Sequence, residues 1–249
     1  MITLYDITGK PPIKTGSPNV WKTRYVLNYK KLPHKTIFVE FPDIEDELKK
    51  AGIPPSGKKP DGVTPHYTCP SIIDDATGAV VSDSYKIAEY LDKAYPDTPK
   101  LFPPGTEALQ AAFYDHFPQV LAPLWPIVLP RVPRVVMDER SAEHYIRMYS
   151  ERFGMPLAQM EPVGEERVAA WAKVKAGFGQ LDGWLSKSSG PFIMGDTVTF
   201  VDFVVASTLH SLRTLFGENS EEWRDIDGWN DGRWAGILKN LKEYASVEI

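Results

Sequence analysis

Over the first hundred residues, short apolar runs of strand length are interleaved with runs of helical period; beyond them only the helical period persists. Residues 2–7 (ITLYDI) and 35–41 (KTIFVEF) are rich in β-branched and aromatic side chains, which predicts two strands. Between them Val20, Trp21, Tyr25, Val26 and Tyr29 recur at helical spacing after Ser17-Pro18, a serine cap followed by proline at the first helical position. Strand, helix and strand predict a βαβ unit with parallel strands and a right-handed crossover. Further on, 71–74 and 79–82 flank Asp75-Ala76-Thr77-Gly78, the spacing and composition of a β-hairpin. A helix is predicted from about Asp83 to Tyr95, with Tyr85, Ile87, Ala88 and Leu91 as apolar positions and Pro96 as the stop. The connection from Pro42 to Thr68 carries a short helical stretch (DIEDELKK) and a Gly/Pro-rich loop, Ile53 to Pro65, long enough to imply mobility or function.

Residues 96–105 (PDTPKLFPPG) form a Pro/Gly linker, after which helical patterns cover roughly 106–121, 138–153, 163–187, 199–216 and 232–245. The pattern predicts a small α/β domain over 1–95, the linker over 96–105 and an all-α domain over 106–249. Charge shifts at the same place. Residues 1–102 hold 14 basic and 13 acidic groups, net +1, and the remainder holds 14 and 20, net -6.

Composition narrows the class. Among 249 residues, 43% are hydrophobic and 24% charged, an ordinary globular balance that excludes disorder and collagen-like repeats. A net charge of -5 gives no electrostatic footprint for nucleic acid or an anionic membrane. The most apolar window, Phe117 to Val136, contains five prolines and two arginines, so it reads as a kinked helix or a helix–loop rather than a membrane span. Met-Ile-Thr-Leu-Tyr-Asp lacks the basic and apolar regions of a secretory signal, and the single cysteine, Cys69, makes no internal disulfide; both point to the cytoplasm. His34, His116, His144 and His210 are not spaced as metal ligands, so no metal is expected.

Three places carry candidate chemistry. Ser17 reads either as a plain helix cap or as a hydroxyl that, with the first free amides of the helix, holds an anion such as a thiolate. No cysteine lies in Gly16-Ser17-Pro18-Asn19-Val20-Trp21, so dithiol redox chemistry is excluded and any reactive thiol belongs to a ligand. Cys69-Pro70 stands before a strand, where composition alone favours a trans bond. Asp83-Ser84 opens a helix: Asp83 caps it or takes an ammonium, while the Ser84 hydroxyl and amide suit a carboxylate, which together match an α-amino acid group.

The order βαβ–loop–Pro–ββα resembles the thioredoxin fold, in which the loop proline is cis. With CPSI, DSYKIAEYLDKAYP and, in the helical half, GDTVTFVDFVVAS, nearly the whole chain resembles a cytosolic glutathione transferase. Its [ST]-x-x-D box is matched by Thr199-Phe200-Val201-Asp202, a capping box with Val198 and Phe203 at the flanking staple positions and a folding role only. SPNVWKTR is similar to the serine-type motif of zeta-like transferases, with Pro18 and Asn19 where that motif has Ser and Cys. The long Pro-rich loop and acidic helical half look most like the fungal-specific class A transferases, relatives of the bacterial lignin β-etherases.

The resemblance implies an α/β thioredoxin-like N-terminal domain followed by an all-α C-terminal domain. It implies a transferase that uses glutathione as co-substrate, with peroxidase or β-etherase-like side activity, in detoxification. Ser17 would activate the thiol, with Asn19 sharing or taking over the contact. Glutathione would meet the backbone of Cys69 and Pro70, then Asp83 and Ser84, with His66, Lys58 and Lys59 as candidates for its glycine carboxylate. Phe113, Tyr114, Phe117, Leu121 and Trp125 would line a site for hydrophobic or aromatic electrophiles. A homodimer is implied, without nucleic acid or membrane partners. The other reading is a ligandin that binds hydrophobic aromatic molecules with little catalysis.

Overall fold

A computed structural model describes residues 1–247. It divides into two compact units, Met1–Leu101 together with the segment that begins at Glu243, and Phe102–Lys242.

In the first unit, β1 (Ile2–Ile7), α1 (Pro18–Tyr29) and β2 (His34–Val39) form the βαβ unit, with β1 and β2 parallel. β2 stops short of the predicted 35–41 because Pro42 turns the chain into a 3₁₀ turn, Phe41–Asp43, leading to α2 (Ile44–Lys50). The Gly/Pro-rich loop is not featureless: β3 (Gly57–Lys58) and β4 (Pro65–His66) make a two-residue antiparallel hairpin within it. β5 (Ser71–Asp74), β6 (Ala79–Ser82) and α3 (Ser84–Ala94) follow as predicted. The mixed sheet runs β2-β1-β5-β6, with Leu4 opposite Thr36 on one side and Ile72 on the other. Leu4 and Ile72, both fully buried, anchor its centre, and Ile87, Ala88 and Leu91 bury the apolar face of α3.

Helix α1 is buried almost throughout, polar residues included. Arg24 donates to Asp6 Oδ2 at 2.7 Å, both side chains fully inaccessible, and Thr15 donates to Asp6 Oδ1 at 2.9 Å. One carboxylate thereby ties the end of β1 to the loop before α1 and to α1 itself. That loop is tight: a Cβ on Gly9 would lie 2.6 Å from the Ile13 carbonyl oxygen. The segment after Lys242 closes the other side. Asn28 donates to the carbonyls of Tyr244 (2.7 Å) and Ser246 (2.9 Å), Arg24 donates to that of Val247 (3.1 Å), and Tyr29 meets Tyr244 edge to face.

The second unit is helical: α4 (Glu107–Val120), α5 (Trp125–Val128), α6 (Val132–Val135), α7 (Glu139–Phe153), α8 (Gly164–Leu185), α9 (Phe200–Phe216), α10 (Glu221–Gly228) and α11 (Arg233–Asn240). Pro118 lies in the last turn of α4, and the following prolines break the apolar window into short helices, as the pattern predicts. Helix α10 has no counterpart in the helical patterns of the sequence, and the last helix, expected over 232–245, ends at Asn240 before a 3₁₀ turn, Lys242–Tyr244. The capping box forms: Thr199 N–H and Oγ1 each donate to Asp202 Oδ2 at 2.8 Å. Asp202 also accepts from the Ile193 amide at 2.9 Å, pinning the loop before α9.

Candidate functional site

Four features of the first unit come together. The Cys69–Pro70 bond is cis, the form that the resemblance to the thioredoxin fold implies. The Asp83 amide donates to the Pro70 carbonyl at 3.3 Å, joining the proline to the turn between β6 and α3. Ser71 and Ser82 Oγ lie 2.9 Å apart across the β5–β6 pair, and Ser82 donates to the Pro54 carbonyl at 2.8 Å, so the long loop is laced to the sheet beside the proline. Asp83 has φ 86°, a left-handed conformation that costs a non-glycine residue energy. Its Oδ1 accepts from the Tyr85 and Lys86 amides at 3.0 and 3.2 Å, so it caps α3, and Ser84, the first helical residue, is buried behind it.

Ser17 occupies the cap of α1 with extended backbone, yet its hydroxyl makes no capping hydrogen bond. Pro18 removes one of the orphan amides of the first turn and pre-sets the helical φ. A half-buried hydroxyl therefore stands at the positive end of a twelve-residue helix without being spent on it. Asn19, exposed, accepts at Oδ1 from Lys22 Nζ at 3.0 Å. Lys22 is 8% exposed; burial pushes its ammonium down to about 8, opposed by the negative charge of Asp83. Lys22 thus couples the start of α1 to the turn that opens α3.

Lys22 is not among the candidates that the sequence offers, although it is buried beside them. Its signal was the i, i+3 spacing from Asn19. Cys69 is buried, and burial and the charge of Asp6 push its thiol up, so it stays a neutral thiol packed inward. The remaining candidates are scattered. His66 and Lys58 are exposed on the β3–β4 hairpin, and Lys59 pairs with Glu45 at 3.2 Å. In the second unit, Phe117 and Leu121 are buried in the core, Phe113 and Tyr114 are half-buried against Trp184 and Phe200 respectively, and Trp125 is 44% exposed. Among the described residues no group of three potential ligands could hold a metal ion, and no helix is long and apolar enough to cross a membrane.

Comparison with known proteins falls on both units. Residues 16–94 match the model of the glutathione S-transferase N-terminal domain, and residues 108–244 that of the C-terminal domain. A glutathione S-transferase-like protein of Aspergillus flavus is 32% identical over 233 residues, 90% of this chain and 83% of the relative. A glutathione S-transferase of Ceriporiopsis subvermispora, solved in complex with glutathione, superposes with a TM-score of 0.93 at 42% identity, covering 99% of this chain and 98% of the other. A glutathione transferase of Phanerochaete chrysosporium gives 0.91 at 40% identity, covering 100% and 98%.

Proposed function

The chain belongs to the glutathione transferase family, and from that premise we propose that it binds glutathione in the first unit and activates its thiol at the start of α1 for attack on hydrophobic or aromatic electrophiles. The observation that carries this reading is Ser17, a cap residue whose hydroxyl is left unspent at the positive end of a helix. The cysteinyl backbone of glutathione would pair with Cys69 beside the cis bond, and its α-amino acid end would meet Asp83 and Ser84. Asp83 Oδ1 is engaged as the cap of α3, so Oδ2 is the oxygen offered to the ammonium.

A free thiol titrates near ~8.5, leaving a few per cent thiolate at neutral pH; lowering it by about two units requires roughly 2.7 kcal/mol of preferential thiolate stabilisation. A hydroxyl hydrogen bond from Ser17 and the helix terminus act together on that scale, with Ser17 protonated throughout as a donor. The thiol proton leaves to solvent, a carbon–sulfur bond forms, and the leaving group departs with its electron pair. Of the side chains proposed for the electrophile, Phe113, Tyr114 and Trp125 retain accessible ring surface. The glycine carboxylate is assigned to the hairpin that carries Lys58, Lys59 and His66, where Lys58 is exposed. The family resemblance further supports a cytoplasmic homodimer and peroxidase or ether-cleaving side activity.

Glutathione titrated into wild type and Ser17→Ala by calorimetry, with thiolate ultraviolet absorbance followed against pH, tests the mechanism. The expected result is binding by both proteins with a lowered thiol pKa in wild type alone. Equal activation by both moves the role to Asn19 or the backbone amides. If neither binds glutathione while aromatic ligands bind, the ligandin reading replaces the enzyme.

A further inference from the structure

The Asn19 side chain has two faces of opposite character, an acceptor oxygen and an NH2 donor, and Lys22 decides which way they point. A lysine ammonium has three donors and no acceptor, so the atom 3.0 Å from Nζ has to be the Asn19 oxygen. The reversed amide would set donors against a positive charge. With Oδ1 turned towards the buried lysine, Nδ2 is left on the exposed side as a donor. Asn19 is the second residue of α1, and helical side chains lean towards the N-terminus, so this amide lies over the turn that begins at Ser17. Lys22 is fixed in its turn by close packing and by the opposite charge of Asp83.

We propose that Lys22 is a positioning residue for thiol activation: its hydrogen bond to Asn19 Oδ1 holds the Asn19 amide with Nδ2 presented as a second donor, beside the Ser17 hydroxyl, to the glutathione thiolate. Lys22 touches neither the thiol nor the electrophile in this scheme; it acts through Asn19. The role rests on the proposed thiol site at Ser17. It also gives a role to a lysine in a buried place, where an apolar side chain would cost less desolvation.

Glutathione is titrated into the full chain, and the pKa of the bound thiol is read from thiolate absorbance against pH. Lys22→Met is expected to raise that pKa by about one unit, roughly threefold less thiolate at pH 7 for a bound thiol that starts at about 6.5, with less than about threefold change in glutathione affinity. Lys22→Arg, also an obligate donor, is expected to restore at least part of the shift. Asn19→Ala, at an exposed position, is expected to match Lys22→Met, and the double variant is expected to add nothing to either single one. An unchanged thiol pKa in Asn19→Ala or Lys22→Met overturns the role, as do additive shifts in the double variant. Should Lys22→Met fail to fold, an unchanged thiol pKa in Asn19→Ala still overturns the role, and Lys22→Leu takes its place as the lysine variant. Failure of the underlying site has a different signature: wild type itself then does not bind glutathione or leaves its thiol at the solution value.

Discussion

Helices α1 and α9 are the most deeply buried helices of their respective units, and they are built on opposite plans. Buried α9 is mostly apolar, with Phe200, Val201, Phe203, Val204 and Val205 in the core. Thr199 bonds to Asp202 and Ser207 to the Val204 carbonyl, within a turn, beside one long-range bond from the Val201 amide to Gln110 Oε1 at 3.3 Å. Helix α1 buries Lys22, Arg24 and Asn28, and two of them reach far along the chain. Arg24 pairs with Asp6 and with a carbonyl 223 residues away, and Asn28 with carbonyls 216 and 218 residues away. The difference is one of purpose. Apolar burial and short-range side-chain bonds hold α9 in its core, whereas long-range side-chain bonds of α1 hold the helix that presents Ser17.

Breaking the long-range plan is expected to have the largest effect. Arg24→Ala leaves Asp6 buried without its partner and is expected to cost about 3–5 kcal/mol in urea unfolding, while an Asp6→Asn/Arg24→Met double variant recovers much of it. Thr199→Ala, by contrast, loses one local cap and is expected to cost only about 1 kcal/mol by the same measurement.

Titration sharpens the contrast between these extremes. Lys22 titrates near 8 in the folded protein against 10.5 unfolded, so between those values the unfolded state binds more protons and stability rises with pH. Lys22→Met is expected to abolish that rise and to be more stable at neutral pH, by on the order of 3 kcal/mol, even as thiol activation falls. Chemical denaturation at a series of pH values reads both. In α9 two groups oppose each other. Burial and Arg213 push His210 down to about 4, so stability is lost as pH falls from 6.5 through 4. Burial pushes Asp202 up to about 6, against its hydrogen bonds, so the folded state takes up a proton first and gains stability as pH falls from 6 through 3.8. The two roughly cancel in wild type. Asp202→Asn is expected to uncover the His210 loss as a steeper fall in stability on acidification over that range, on the order of 3 kcal/mol.

The same contrast explains what could be read beforehand. Thr199-Phe200-Val201-Asp202, the β5–β6 hairpin and the βαβ order are local signals, complete within a few residues, and each formed where expected. The cis bond at Pro70 was implied by the resemblance to the thioredoxin fold and not by its dipeptide. Lys22 escaped notice because α1 is buried on most of its surface, which erases the alternation of faces that marks a lysine as inside or outside. Helix α10 escaped for the converse reason: in EEWRDIDG only Trp223 and Ile226 are buried, too few to set a period. The β3–β4 hairpin, two residues a side, is held by the loop around it and has no strand signal of its own.

The first unit is not one continuous stretch of chain, because it is finished by residues that follow the entire second unit. On the ribosome, α1 therefore emerges long before Tyr244, Ser246 and Val247 exist to receive Asn28 and Arg24. The domain that carries Ser17 waits, incompletely bonded, while its neighbour is made. A fragment stopped at Leu101 would hold every proposed glutathione contact and still lack the carbonyls that lock the helix beneath them.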